Sequence, residues 1–195
     1  DFCLSRGLGD VYKRQDANPY ALIVRDNHYY VVDAGTNTLD RVYGNDIDVL
    51  ATLPDPPSSD AVPTCVAAGP DNALYIGELT GAGNGAGAAN VYRYSASTGL
   101  QVWKSGFTAI AGCGFGKDGS FYVTELTSNG FPPSGPGGDV VRIATDGTRT
   151  VIGQGQLTFP QGFAVDDDGA IYVCNWSLAP GNTGGGPTGQ IVKIG

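Results

Sequence analysis

Four oxygen-bearing side chains stand at matching places in four similar stretches of this sequence: Asp33, Glu78, Glu125 and Asn175. Together with the adjacent Trp176 they could form an acidic, hydroxyl-rich site for a ligand or a cation, because hard cations prefer oxygen ligands. The alternative is structural, with each side chain accepting hydrogen bonds from backbone N–H groups of its own loop. A local cap would recur once per repeat, as these residues do, and this favours the structural alternative.

The four stretches are units of an internal repeat. Their aligned tyrosines are Tyr30, Tyr75, Tyr122 and Tyr172, separated by 45, 47 and 50 residues. Periods of this length are typical of propeller blades. The aligned segments read YALIVRDNHYYVVDAG (20–35), CVAAGPDNALYIGELT (65–80), GCGFGKDGSFYVTELT (112–127) and GFAVDDDGAIYVCNWS (162–177).

Each unit follows one pattern that predicts antiparallel strands. A short apolar run is followed by Asp-Asn or Asp-Gly, which suit a two-residue hairpin turn, and then by a β-branched and aromatic strand such as SFYVTE. A loop, a third strand and, in three units, a fourth strand complete the pattern. We therefore predict an all-β β-propeller with about four four-stranded blades present. The units span about 17–53, 61–107, 108–156 and 157–195, within a partial propeller of residues 16–195.

The turn positions also predict a strand register. A two-residue turn at Asp118-Gly119 places Gly112 opposite Glu125. The same count pairs Tyr20 with Asp33, Cys65 with Glu78, and Gly162 with Asn175. All four candidate residues then lie on one rim, and the longest loops leave from that rim: 81–89, 128–138 and 178–189. Long loops on one face are where propellers usually bind.

Composition excludes several functions. The formal net charge of −8 and a pI near 4.3 argue against binding to nucleic acid or to anionic membranes. No apolar run is long enough to span a bilayer. No CxxC pair is present, which argues against a zinc site. Cys65 and Cys113 are offset by one register position, so they could meet across a blade interface or could both face away from it.

No catalytic set is evident, which favours a non-catalytic protein. His28 is the sole histidine, and it follows a hairpin turn on the rim opposite the long loops, where we expect it to be exposed. A Ser-His-Asp mechanism would need that histidine near its partners. Trp103 and Trp176 could stack on sugars, although packing in the core or on the rim is the simpler interpretation.

The first fifteen residues differ in character from the rest. The stretch SRGLGDVYKRQ (5–15) is basic and lacks the repeat pattern. It matches, codon by codon, an in-frame translation of a transposase-type sequencing adapter. We therefore expect residues 1–15 to lie outside the fold, and the chain to be an N-terminally truncated metagenomic fragment.

Beyond the repeat itself, three stretches carry a family resemblance. NPYALIVRDNHYYVVDAGTNTLDRV, VPTCVAAGPDNALYIGELTG and GDVVRIATDGTRTVIGQG resemble the ScyD/ScyE family of secreted bacterial propellers, which are related to NHL-repeat proteins. The resemblance implies a six-bladed, TolB-like propeller that is extracellular or periplasmic and monomeric at full length. It implies no defined chemistry. From the repeat, the composition and the lack of a catalytic set, we expect a propeller that binds a protein or small-molecule partner on the rim that bears the long loops and that has no cofactor.

The blade pattern is also similar to that of metal-dependent gluconolactonase-type propellers. These hold a divalent cation at the propeller axis, partly through Asn or Asp after the proline that opens the innermost strand. The matching positions here are Pro19, Thr64, Ala111 and Gln161, none of which is a strong ligand for a hard cation. A calcium-dependent hydrolase or lactonase, with Ca2+ held partly by residues absent here, is therefore the alternative function. A structural role in the cell envelope is a third possibility.

Overall fold

The computed structural model describes residues 17–56, 59–131, 137–178 and 189–195. Every regular element in these ranges is a β-strand, and the strands form four antiparallel sheets arranged as the blades of a β-propeller. Residues 1–15, which the sequence assigns to an adapter, lie outside the described residues, as do parts of two long loops (132–136 and 179–188). No helix long and apolar enough to cross a membrane occurs in the described ranges.

Each blade uses consecutive strands, with the first strand of each blade innermost. Blade 1 contains β1 (Pro19–Arg25), β2 (His28–Asp33), β3 (Thr38–Tyr43) and β4 (Asp46–Thr52). Blade 2 contains β5 (Pro63–Ala68), β6 (Leu74–Glu78), β7 (Ala89–Ser95) and β8 (Gly99–Phe107). Blade 3 contains β9 (Ile110–Phe115), β10 (Phe121–Glu125), β11 (Gly138–Ile143) and β12 (Arg149–Leu157). Blade 4 has three described strands: β13 (Phe163–Val165), β14 (Ile171–Asn175) and β15 (Gln190–Ile194).

The predicted two-residue turn occurs in blade 1 alone. There Arg25 pairs with His28, and Asp26 and Asn27 have φ of +51° and +60°, as that turn requires. In blade 3 the loop has three residues: the N–H of Gly119 donates to Gly116 O (3.0 Å), and Gly119 has φ +78°. Blades 2 and 4 turn in the same way, with N–H groups donated to Gly69 O and Asp166 O. A left-handed residue after a tight turn is the usual form of a three-residue hairpin.

The predicted register is confirmed in blade 1 from Arg25–His28 to Ala21–Val32 and is wrong in blades 2, 3 and 4; β-bulges at the opposite end of the first three hairpins shift the pairing by one further residue. The observed partner of Asp33 is Pro19, that of Glu78 is Pro63, and that of Glu125 is Ile110. Gly162 lies opposite Cys174 rather than Asn175, since Gly162 O accepts the Cys174 N–H (2.8 Å). The strand ends nevertheless stay on the expected rim, because a slip of one or two residues moves each partner by only about 3–7 Å along the strand.

Apolar clusters fill the three spaces between adjacent blades. Val32 and Leu39 of blade 1 pack with Ile76 of blade 2. Phe107 of blade 2 packs with Phe121 of blade 3, and further clusters join blade 3 to blade 4. Small residues allow the innermost strands to approach closely. A Cβ at Gly112 would lie 2.9 Å from Gln161 O of the next blade.

The two end blades leave apolar faces uncovered. On blade 1, Leu22 and Val24 are 57% and 64% exposed, and on blade 4 Ile191 is 68% exposed. In blades 2 and 3, which have a neighbouring blade on each side, the equivalent faces are buried. These two faces therefore expose apolar side chains that a neighbouring blade would cover.

Candidate functional site

The candidate rim, called the long-loop rim below, carries the four recurring side chains at the ends of β2, β6, β10 and β14. All four are buried, with exposures of 1–7%. No hydrogen bond or ion pair joins any two of them within the described ranges. Each therefore works inside its own blade rather than as part of one shared cluster.

Asp33 is a backbone cap. Its Oδ1 accepts the N–H groups of Asn18 (2.9 Å), Gly35 (2.8 Å) and Thr36 (3.0 Å). These bonds tie the start of β1 to the loop that follows β2. A carboxylate with three charge-assisted bonds has a structural task that accounts for its position.

Glu78 is also a backbone cap, and its partner is Asn90. Its Oε1 accepts both the backbone N–H and the side-chain amide of Asn90, at 2.8 and 2.7 Å. Burial raises the pKa of Glu78 to about 7, although hydrogen bonds from Asn90 and Tyr92 act in the opposite direction. Glu78 therefore carries a proton part of the time near neutral pH.

Glu125 belongs to a buried carboxyl pair that sequence reasoning missed. It lies opposite Asp139 in the ladder between β10 and β11, and both residues are at most 5% exposed. Burial, followed by the negative charge of Asp139, raises the pKa of Glu125 to about 7, and burial also raises the pKa of Asp139. Asp139 Oδ1 has no hydrogen-bond donor among the described residues, so a proton on Glu125 would satisfy it. The sequence carries a signal for this pair, because Asp139 directly precedes the strand sequence VVRI, and this third strand of the unit is expected to pair with the strand that ends at Glu125.

Other groups hold this pair in place. Glu125 Oε1 accepts the Thr108 N–H (2.9 Å), and Arg149 Nη2 lies 3.5 Å from the same oxygen. The Ser128 hydroxyl donates to Asp139 Oδ2 (3.1 Å). The arrangement can store or release one proton near neutral pH, and its other contacts within the described ranges are with Thr108, Ser128 and Arg149.

Asn175 and Trp176 complete the set on blade 4. Asn175 Oδ1 accepts the Thr158 N–H at 2.6 Å, which is the same cap in amide form. Trp176 is half-buried and has φ +59°, and its own N–H donates to Thr158 O (2.7 Å). The backbone at Trp176 is thus held in a sparsely populated conformation by the cap beside it.

A second strained position repeats along this rim. Val62, Ala109 and Phe159 each come just before an innermost strand, and their φ values are +52°, +44° and +48°. Their carbonyl oxygens accept N–H groups of Leu79, Leu126 and Ser177, at 2.8–3.1 Å. Non-glycine residues rarely adopt such φ values, which cost about 1–3 kcal/mol each and persist where surrounding contacts enforce them.

Two of the long loops join to form one surface. Gly83 N–H donates to Phe131 O (2.9 Å), and Phe131 N–H donates to Asn84 O (3.1 Å), so the loops of blades 2 and 3 pair as a short bridge. Phe131 and Phe159 pack against a buried cluster that contains Leu126. We call this surface the loop platform; it consists of residues 83–84 and 131 with the apolar residues beneath them.

A cavity of about 310 Å3 lies where the innermost strands of the four blades face each other. Thr64, Ala111 and Gln161 line it, so three of the positions that match axial ligands in gluconolactonase-type propellers do face the axis. Thr64 Oγ1 donates to Ile110 O (2.6 Å). No group of three or more His, Cys, Asp or Glu side chains suited to a metal occurs in the described part of the chain.

The structure also decides two sequence expectations, the pairing of Cys65 with Cys113 and the exposure of His28. Cys65 and Cys113 are bonded across the interface of blades 2 and 3, which settles the alternative that the sequence left open, and Cys174 is free and exposed. His28 is half-buried rather than exposed, because its ring lies 5.1 Å from that of Tyr43 and its Nδ1 lies 2.7 Å from Asp26 O.

Solved structures of NHL-like, TolB-like and related β-propellers are similar to this chain. A chain of a nidogen/laminin complex matches with a TM-score of 0.61 and 14% identity, over 82% of this chain and 56% of that one. XC5397 of Xanthomonas campestris, a gluconolactonase, matches with a TM-score of 0.62 and 18% identity, over 91% of this chain and 57% of that one. The PQQ-bound aldose sugar dehydrogenase of Streptomyces coelicolor matches with a TM-score of 0.62 and 17% identity, over 90% of this chain and 67% of that one.

These similarities concern the fold alone, since the identities are low and the three proteins include both enzymes and a binding protein. The chain spans about half to two thirds of the length of these structures. Neither a protein-family model nor a curated protein matches the sequence.

Proposed function

We propose that this chain is part of a secreted, non-catalytic β-propeller of the ScyD/ScyE type, six-bladed at full length, that binds a partner or small ligand on the long-loop rim. The observation that carries the proposal is the loop platform. Two loops from different blades are paired at Asn84 and Phe131 and rest on a buried apolar cluster, so the surface is held in place before any ligand binds, which lowers the cost of binding.

The disulfide supports export. Disulfides form and persist in extracellular and periplasmic compartments and are rare in the cytosol. Cys65–Cys113 joins two blades, so its formation accompanies correct packing of the propeller. We infer a bacterial protein that functions outside the cytoplasm, without a cofactor of its own.

The geometry of the rim carboxylates supports binding rather than catalysis. Asp33 and Glu78 accept hydrogen bonds from backbone N–H groups, as does the amide oxygen of Asn175, so each has a structural role. A catalytic carboxylate needs free access to the substrate. The loop platform, by contrast, offers partly buried Phe131 beside backbone groups of glycine-rich loops.

A two-part experiment tests the proposal. Gluconolactone is incubated with the 195-residue chain, with and without calcium, and acid release is followed; we expect the rate measured without protein. Cellotriose serves as a hydroxyl-rich probe in a thermal-shift titration. We expect saturable stabilisation that Phe131→Ala abolishes and that Val102→Ala, an exposed change on β8, leaves intact.

Calcium-dependent hydrolysis of the lactone would replace this proposal with the metal-dependent hydrolase. Absence of saturable cellotriose binding would argue against a hydroxyl-rich small ligand on this rim. Binding that survives Phe131→Ala would place the site elsewhere on the molecule.

A further inference from the structure

A cavity of about 370 Å3 lies between blades 2 and 3 at the opposite rim, which we call the hairpin rim because the β5–β6 and β9–β10 turns lie there. Its wall includes Trp103, Phe115 and Phe121, together with the polar residues Lys104, Thr145 and Asp146. The volume falls within the range of small-molecule sites, and an apolar lining with a few polar groups is typical of them. None of the rim candidates discussed above lines this cavity.

The aromatic wall is held rigidly. The rings of Trp103 and Phe121 meet edge to face, with centroids 5.2 Å apart, and those of Phe115 and Phe121 lie 4.9 Å apart. Tyr75 contacts all three rings from within the core. Phe121 is fully buried, whereas Trp103 and Phe115 are half-buried. The exposed ring surface is therefore fixed before any ligand arrives, which lowers the entropic cost of binding.

A cation without a partner stands beside these rings. Lys104 Nζ lies 5.8 Å from the centroid of Trp103 and forms no ion pair or hydrogen bond within the described ranges. The carboxylate of Asp146 also lines the cavity; its Oδ1 accepts the Thr148 N–H (2.8 Å), and it forms no ion pair with Lys104 within the described ranges. The cavity thus combines a flat apolar wall with one ammonium group and one carboxylate that are not paired with each other.

We propose that this cavity binds a small aromatic carboxylate, whose ring lies against Trp103 and Phe115 and whose carboxylate pairs with Lys104. Offset or edge-to-face contact with the two rings would orient the ligand. A charge-assisted bond to the ammonium group would select an anion over a neutral analogue. The site is independent of the proposed function, because it lies on the other rim and uses different residues.

Benzoate is the probe, and Trp103 is the reporter. The chain has two tryptophans, so Trp176→Phe leaves Trp103 as the sole source of tryptophan fluorescence. We expect benzoate to change the Trp103 emission saturably, with half-saturation at about a millimolar or below. In Trp103→Phe, where Trp176 on the distant rim is the sole tryptophan, we expect no change.

Lysine variants, measured by calorimetry, test the charge. Lys104→Gln should weaken benzoate binding about fivefold or more, while Lys104→Arg should stay within about twofold. Lys193→Gln is the matched control, since Lys193 also lies over a ring (5.5 Å from the centroid of Tyr172) but lines no part of this cavity. Benzyl alcohol, which lacks the charge, should bind more weakly than benzoate, and Lys104→Gln should leave its affinity unchanged.

Three results would overturn the proposal: no saturable response to benzoate, equal losses in Lys104→Gln and Lys193→Gln, or equal affinity for glucuronate, a carboxylate without an aromatic ring. The lysine variants keep the test decisive if Trp103→Phe fails to fold, because Lys104 lies on an edge strand and its side chain is partly exposed.

Discussion

Cys65 and Cys113 join the innermost strands of two adjacent blades, with Cα atoms 5.6 Å apart at positions 48 apart in sequence. Cys65 is buried, and its sulfur also packs against the strand beside it, where a Cβ at Gly77 would lie 2.7 Å away. The bond therefore fixes the interface of blades 2 and 3 at the propeller axis, where no other covalent link exists among the described residues.

Removing this disulfide should destabilise the chain markedly. For a closed loop of this length, the entropy model gives about 4 kcal/mol at 25 °C, and measured values are commonly about 2–4 kcal/mol. The double variant Cys65→Ser/Cys113→Ser should unfold at lower denaturant concentration by that amount. Cys174→Ser, which removes the free cysteine of the described ranges, is the control and should change the free energy of unfolding little.

Stability should fall as the pH rises from about 4.5 to about 7. The pKa of Glu78 is raised from 4.5 to about 7, so across this window the unfolded chain has lost a proton that the folded chain retains. Glu125 has the same direction, and the combined loss should be on the order of 2–4 kcal/mol by pH 8. Urea unfolding at pH 5 and pH 8 measures this difference.

Glu78→Gln should flatten the pH dependence, because the amide does not titrate and keeps an oxygen for Asn90. Asp46→Asn removes an exposed carboxylate at a turn and should leave the dependence unchanged. Stability that rises between pH 5 and pH 8, or equal slopes in both variants, would show that these buried carboxyl groups do not control it.

The cap at Asp33 should be worth about 2–3 kcal/mol, because three backbone N–H groups would lose a charged acceptor in Asp33→Ala. Asp33→Asn retains the Oδ1 position and should recover about half of that loss. Thermal unfolding of both variants tests the ranking. Equal stabilities for the alanine and asparagine variants would mean that the oxygen contributes little.

Gly130→Ala should disrupt the loop platform. Gly130 has φ +100°, and an added Cβ would lie 2.8 Å from Asn84 O, the acceptor in the bridge to Phe131. Hydrogen exchange at the amides of Gly83 and Phe131 should accelerate by about tenfold or more, while the core strands keep their protection. At Gly85 a Cβ would meet nothing within 4 Å, so Gly85→Ala is the matched control.

The uncovered blade faces should drive self-association. Lysine at Leu22 and at Ile191 places a charge on each exposed face without removing buried contacts. We expect the double variant to remain monomeric in sedimentation velocity at concentrations where the parent chain associates. Lysine at Val102, an exposed site on β8 in the arc interior, should not have this effect.

Much of the architecture follows from local sequence. The tyrosine spacing and the Asp-Asn and Asp-Gly turns predict four repeated antiparallel units, and the structure confirms an all-β propeller. These signals are reliable because strand propensity and hairpin turns depend on neighbouring residues. The common rim of Asp33, Glu78, Glu125 and Asn175 was also predictable, since it depends on strand direction alone.

The tertiary structure decided the features that depend on contacts between residues far apart in the chain. A third turn residue, as at Lys117, changed the pairing in three blades, because hairpin register depends on how the backbone closes. The bond between Cys65 and Cys113, the pairing of Glu125 with Asp139, and the cavity beside Lys104 all arise between strands or blades. Sequence alone determined which residues form strands and which rim they reach; packing between blades determined which side chains meet, because burial and charge act through space rather than along the chain.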